Sequence, residues 1–65
     1  MKQNNNHETI LIIEDDFALN DAFCLILQHV GYNTVSAHNG RDALEYLKEN
    51  KADLILLDIL MPVMD

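Results

Sequence analysis

Cysteine occurs once in this chain, as Cys24, so no internal disulfide can form. His7, His29 and His38 are far apart and have no second cysteine near them, which excludes a cluster with zinc spacing. Basic residues are scarce: 4 against 11 acidic ones, a net charge of −7. An acidic chain of this kind repels phosphate backbones and is not expected to bind nucleic acid by itself. Long apolar runs are missing too. Residues 1–9 carry a single lysine, and the run Ile10 to Ile13 is far too short for a signal or membrane segment. The glycines, Gly31 and Gly40, stand alone and form no nucleotide fingerprint. A lone cysteine on an apolar helical stretch fits a reducing compartment. The expectation is a soluble, cytoplasmic chain without a membrane span.

The length of 65 residues allows one small domain at most. At this size roughly 60% of the unfolded chain's surface can be buried, which leaves a monomer marginal. Small folds compensate with disulfides, structural metals or partner chains. With the first two excluded, association with a partner chain is the expected compensation.

Residues 1–8 are polar and asparagine-rich and read as a flexible arm, which leaves 9–65 as the folded unit. Thr9 to Ile13, TILII, is a continuous β-favouring run suited to a strand buried on both faces. After Glu14-Asp15-Asp16 comes an amphipathic stretch in which Leu19, Ala22, Phe23, Ile26, Leu27 and Val30 fall on one helical face. Asp16 is placed to cap its start and Gly31 to end it. Asn33 to Ala37 reads as a short second strand. Asn39-Gly40 opens a second helix with Ala43, Leu44 and Leu47 inward and Glu45, Lys48, Glu49 and Lys51 outward. Leu54 to Leu57 is a third apolar strand, read as buried, ending at Asp58; the single proline, Pro62, sits in the loop beyond. The order β-α-β-α-β predicts an α/β fold with a parallel sheet covered by helices on both faces.

The first and third strands both end in carboxylates. In a doubly wound sheet of order 2-1-3 those strands are neighbours, and ligands bind at the switch point beyond their C-terminal ends. Glu14, Asp15 and Asp58 should therefore converge in one pocket. Carboxylates within ~4–6 Å of one another repel, and a divalent cation resolves this. Magnesium suits the site, because it typically takes one or two carboxylates and keeps waters. It would neutralise an incoming phosphoryl group, and an aspartate can accept that group as a nucleophile. Taken alone, Glu14 to Asp16 reads as a helix start, where acids stabilise the dipole by ~0.3–1 kcal/mol each. Asp58 alone reads as a loop residue. Their shared place at one end of adjacent strands is what favours a metal site.

These residues resemble a known family. ILIIEDD, residues 10–16, is similar to the first strand and acidic pocket of two-component response-regulator receiver domains, and LILLDILMPVMD, residues 54–65, to their phosphorylation-site segment. Gly31-Tyr32, Asn39-Gly40 and Ala43-Leu44 agree in order and spacing. The resemblance covers residues 9–65 and implies the N-terminal half of a receiver domain, a partial flavodoxin-like fold. It implies that Asp58 is the phosphorylated aspartate, with a histidine kinase as phosphodonor. It implies Mg2+ held directly by Asp15 and Asp58, by Glu14 through water and by the backbone carbonyl of Leu60. Met61 and Pro62 match the loop at the pocket rim, and Val63 stands where many relatives have glycine. Complete receiver domains continue with a Ser or Thr, an aromatic switch residue and a lysine that this sequence does not contain. Lys48 and Lys51, near the end of the second helix, cannot substitute. The resemblance thus implies that the segment alone is impaired.

Two other functions compete. A non-catalytic half-domain could self-associate through strand edges and apolar helix faces, giving a homodimer. An aspartate-nucleophile phosphohydrolase would need an acid two residues beyond Asp58, where Leu60 stands. The remaining residues take bland readings: Cys24 as helical core or boundary without an activating histidine, His29 and His38 as surface residues, Tyr46 as packing on the second helix, and Met61 and Met64 as loop or interface residues.

Overall fold

The structure is a computed structural model that describes residues 8–58. Residues 1–7 of the expected arm, the Leu60 carbonyl, and Met61, Pro62, Val63 and Met64 lie outside the described residues. The elements are β1 (Thr9–Ile13), α1 (Phe17–Val30), β2 (Asn33–Ala37), α2 (Gly40–Glu49) and β3 (Leu54–Leu57). The three strands form one parallel sheet of order β2-β1-β3. Crossovers between parallel strands are almost always right-handed, and with one leading to each side of β1 that rule puts the two helices on opposite faces.

Each helix is bounded by the residues its sequence offers. Asp16 caps α1, accepting from the Leu19 N–H at 3.0 Å, and Asn39 caps α2, accepting from the Asp42 N–H at 2.8 Å; such caps satisfy donors that no helical carbonyl reaches. At the far end of α1, Gly31 takes φ 119°, a left-handed conformation. From there the Gly31 N–H reaches the Gln28 carbonyl at 3.0 Å and the Tyr32 N–H the Leu27 carbonyl at 3.0 Å, a Schellman closure that suits glycine.

The alternation of β1 separates two packed faces. Leu11, with no exposed surface, meets Ala37 and Ala43 on the α2 side, together with Ile13, Val35, Tyr46, Leu47 and Ala52. Tyr46 therefore belongs to this core and Leu44, expected inward, is exposed. On the α1 side lie Ile10 and the fully buried Ile12. Full burial of such a side chain contributes roughly 1.5–3 kcal/mol.

Two sequence expectations change here. The inward stripe of α1 is Asn20, Phe23, Cys24 and Leu27, while Leu19, Ile26 and Val30 are exposed. The apolar arc of this helix is wider than one contact face, so its periodicity admits more than one rotation against the sheet. And β3, expected to be buried, has all four side chains 37–58% exposed. It is an edge strand, and among the described residues neither helix packs on it.

The start of the sheet is fastened by a reciprocal pair. The Thr9 N–H donates to the Asp53 carboxylate at 2.7 Å, and the Asp53 N–H donates to the Thr9 carbonyl at 2.8 Å. The resulting register sets Ile10 beside Leu54 and Ile13 beside Leu57.

Candidate phosphoacceptor pocket

Parallel pairing continues one step past the strand ends. The Asp58 N–H donates to the Ile13 carbonyl at 3.2 Å, and the Glu14 N–H donates to the Ala37 carbonyl at 3.0 Å. This puts Glu14 beside Asp58, on the C-terminal end of the sheet. A cavity of about 340 Å³ opens there, lined by Ile13, Glu14, Asp15, His38, Asn39, Gly40, Leu57 and Asp58. The ends of β1 and β3, the connection that follows β2 and the start of α2 contribute. The three acids expected from sequence are brought together; Leu60 lies outside the described residues.

The acids have different surroundings. Glu14 is buried, Asp58 half-buried and Asp15 exposed. One Glu14 oxygen accepts from the Asp16 N–H at 2.8 Å. The other, Oε1, is buried without a hydrogen-bond donor among the described residues. The Asp58 carboxyl beside it is the main reason the Glu14 carboxyl is held above its ordinary range; burial and the Asp15 carboxyl act in the same sense, and the Asp16 N–H opposes them. Carboxyl groups this close favour a shared proton over two charges.

A cation would serve in place of that proton. The orphaned Glu14 oxygen and the neighbouring Asp58 and Asp15 carboxyls are hard oxygen donors of the kind magnesium takes, and an open cavity leaves room for its waters. Among the described residues no three His, Cys, Asp or Glu side chains form a ready-made metal cage. The donor set fits magnesium, which typically binds through one or two carboxylates and keeps its waters.

Sequence reasoning missed the wall facing these acids. His38, read as a surface residue, is half-buried and lines the cavity. Its ring stacks on Phe17, centroids 3.8 Å apart at 8°. Asn39 and Gly40 line the cavity beside it. The signal was available, because order 2-1-3 brings the end of β2 to the same crevice as the ends of β1 and β3. Cys24 lies at the helix–sheet boundary as expected, its sulfur 3.2 Å from Ser36 Oγ.

Comparison with known proteins agrees with this geometry. Residues 10–65 match the model of the response regulator receiver domain family. The chain is 40% identical over 62 residues to the autoinducer 1 sensor kinase/phosphatase LuxN of Vibrio campbellii, covering 95% of this chain and 7% of that protein. It is 40% identical over 57 residues to the transcriptional regulatory protein AfsQ1 of Streptomyces coelicolor, covering 88% of this chain and 25% of the relative. It is 45% identical over 58 residues to the hybrid signal transduction histidine kinase B of Dictyostelium discoideum, covering 89% and 3%. The chain thus spans a small part of each of these relatives.

Proposed function

Because the chain belongs to the response regulator receiver domain family of two-component signalling, we propose that Asp58 is its phosphoacceptor and that a histidine kinase is the donor. The observation that carries this reading is the placement of Asp58 against Glu14 in a cavity that Asp15 also lines. In the transfer, an Asp58 carboxylate oxygen attacks the phosphorus of a phosphohistidine. The new O–P bond makes an acyl phosphate, the P–N bond breaks, and the departing imidazole nitrogen keeps the electron pair and takes up a proton.

In this reading Asp15 and Asp58 would hold Mg2+ directly and Glu14 through water; Leu60, whose carbonyl is the remaining expected ligand, lies outside the described residues. When bound, the ion neutralises charge on the phosphoryl group and helps align it for in-line transfer. With a cation in place of the shared proton Glu14 would carry its negative charge, and Ile13 and Leu57 add apolar lining to the pocket. The chain then acts as a phosphorylated signalling module of the cytoplasm, with nucleic acid and membrane outside its own contacts. No helix among the described residues is long and apolar enough to cross a membrane. The test is labelling by acetyl phosphate with magnesium, in a full-length receiver domain that carries this segment. Asp58→Asn should abolish it, and labelling that persists would overturn the assignment.

A second reading, self-association of the chain as a homodimer, rests on the exposed apolar side chains of β3. An edge strand offers unpaired backbone groups to another strand, and a two-fold axis would let two β3 edges satisfy one another. Sedimentation equilibrium of the wild-type chain should show a dimer; a folded monomer at all concentrations would refute this role.

A further inference from the structure

Asn20 is the one polar side chain with no exposed surface in α1, and it faces the end of the sheet where the acids lie. Its Nδ2 donates to the Glu14 carbonyl at 3.1 Å and to the Ala37 carbonyl at 3.1 Å. Ala37 also receives the Glu14 N–H, so this amide closes a loop of hydrogen bonds around the point where β1 ends beside β2. On its other side Oδ1 accepts from Ser36 Oγ at 2.5 Å, and the Cys24 thiol points at it from 3.6 Å. Every donor and acceptor site on Asn20 that the packing reaches is thus engaged, and its orientation is fixed from both ends.

We propose that Asn20 is a positioning residue for the acidic pocket: it fixes the backbone at Glu14, and through it the direction in which Glu14 and Asp15 present their carboxylates to a magnesium ion. This rests on the reading of the pocket given above. A buried amide could stabilise the fold without affecting any ligand, but its place argues for more. It bonds the backbone of a pocket residue directly, at the point where the chain leaves the sheet. Groups that orient metal ligands from behind are typically worth ~10–100-fold in metal affinity. Ser36 acts one step further back, by holding the Asn20 carboxamide in the orientation that points its N–H groups at the two carbonyls.

Magnesium chloride titrations of the chain, read from the backbone amide shifts of Glu14 and Asp15, test this. Asn20→Asp keeps the volume and the acceptor for Ser36 but loses both donors. Its added negative charge would by itself favour a cation, so weaker binding isolates the positioning effect. The expected result is a loss in magnesium affinity of about tenfold or more, with a smaller loss in the same direction for Ser36→Ala. Gln28→Ala is the control. It removes another side-chain bond between α1 and β2, Gln28 Nε2 to Thr34 Oγ1 at 2.6 Å, away from the pocket, and should leave the affinity unchanged. A folded Asn20→Asp that binds magnesium like wild type would overturn the inference, as would a loss of equal size in Gln28→Ala. If Asn20→Asp does not fold, Ser36→Ala decides, and an unchanged affinity there is equally fatal. A wild-type chain that shows no magnesium-dependent shift at Glu14 or Asp15 would instead bring down the metal site itself.

Discussion

Phe17 lies flat against His38, the two ring centroids 3.8 Å apart and the planes within 8°. One ring opens α1 and the other follows β2, so the stack spans the two connections that border the acidic pocket. Phe17 is 65% exposed, and its ring is spent on this neighbour more than on the core. Phe17→Ala should therefore remove a local clamp, at about 0.5–1.5 kcal/mol for the lost stack. The His38 ring protons should carry an upfield ring-current shift in wild type and lose it in the variant. A His38 spectrum indifferent to the substitution would contradict the stack.

The Glu14 carboxyl, held above its ordinary range mainly by Asp58, ties stability to pH. Between the ordinary value of 4.5 and the raised one, the folded chain holds a proton that the unfolded chain has released. Stability from this group therefore falls as pH rises through that window, and above it the ionised carboxylates repel in full. Glu14→Gln should gain stability relative to wild type on going from acid to neutral solution. Urea midpoints of both proteins across that range check the sign; a widening advantage for wild type would refute it.

The two glycines should respond oppositely to a methyl group. Gly31 sits at φ 119°, where a Cβ is strained, and Gly31→Ala should cost about 1–2 kcal/mol. Gly40 is not in that region, and a Cβ added there meets nothing within 4 Å. Gly40→Ala at the start of α2 should be neutral or stabilising by about 0.4–1 kcal/mol, through the unfolded state. Thermal unfolding of the pair provides the comparison.

Leu56 is 37% exposed on β3. Leu56→Lys puts a charge on the edge strand, a device by which natural sheets block edge-to-edge pairing. It should shift a self-associated chain towards monomer in sedimentation equilibrium while helical circular dichroism is retained. Unchanged association would place the contact elsewhere.

Much of this arrangement was legible in the sequence because it depends on local signals. TILII and LILL declare strands, Asp16 and Asn39 declare helix starts, and Gly31 declares a helix end. The convergence of Glu14, Asp15 and Asp58 followed from the order of the strands alone. What escaped was the rotation of α1, since a broad apolar arc hides which stripe packs inward. Asn20 is buried there through bonds to two carbonyls and a hydroxyl contributed by the ends of β1 and β2, and no helical period reveals those partners. His38 was missed for a related reason. Its role comes from a residue across the pocket, Phe17, and from a strand end whose place in the crevice the sheet order implies but the local sequence does not mark. The exposure of β3 was hidden by its composition, because an apolar edge strand and an apolar central strand have the same sequence.

The reciprocal bonds between Thr9 and Asp53 sit at the end of the sheet remote from the cavity, yet they act on it as a ruler acts on its far mark. Side chains along a strand alternate sides, so sliding β3 by a single residue would turn Asp58 away from Glu14 and bring an aliphatic neighbour into its place. The alignment of acids at one rim is thus secured by an aspartate at the other, and damage to Asp53 would be felt as a displaced Asp58 before it was felt as a lost fold.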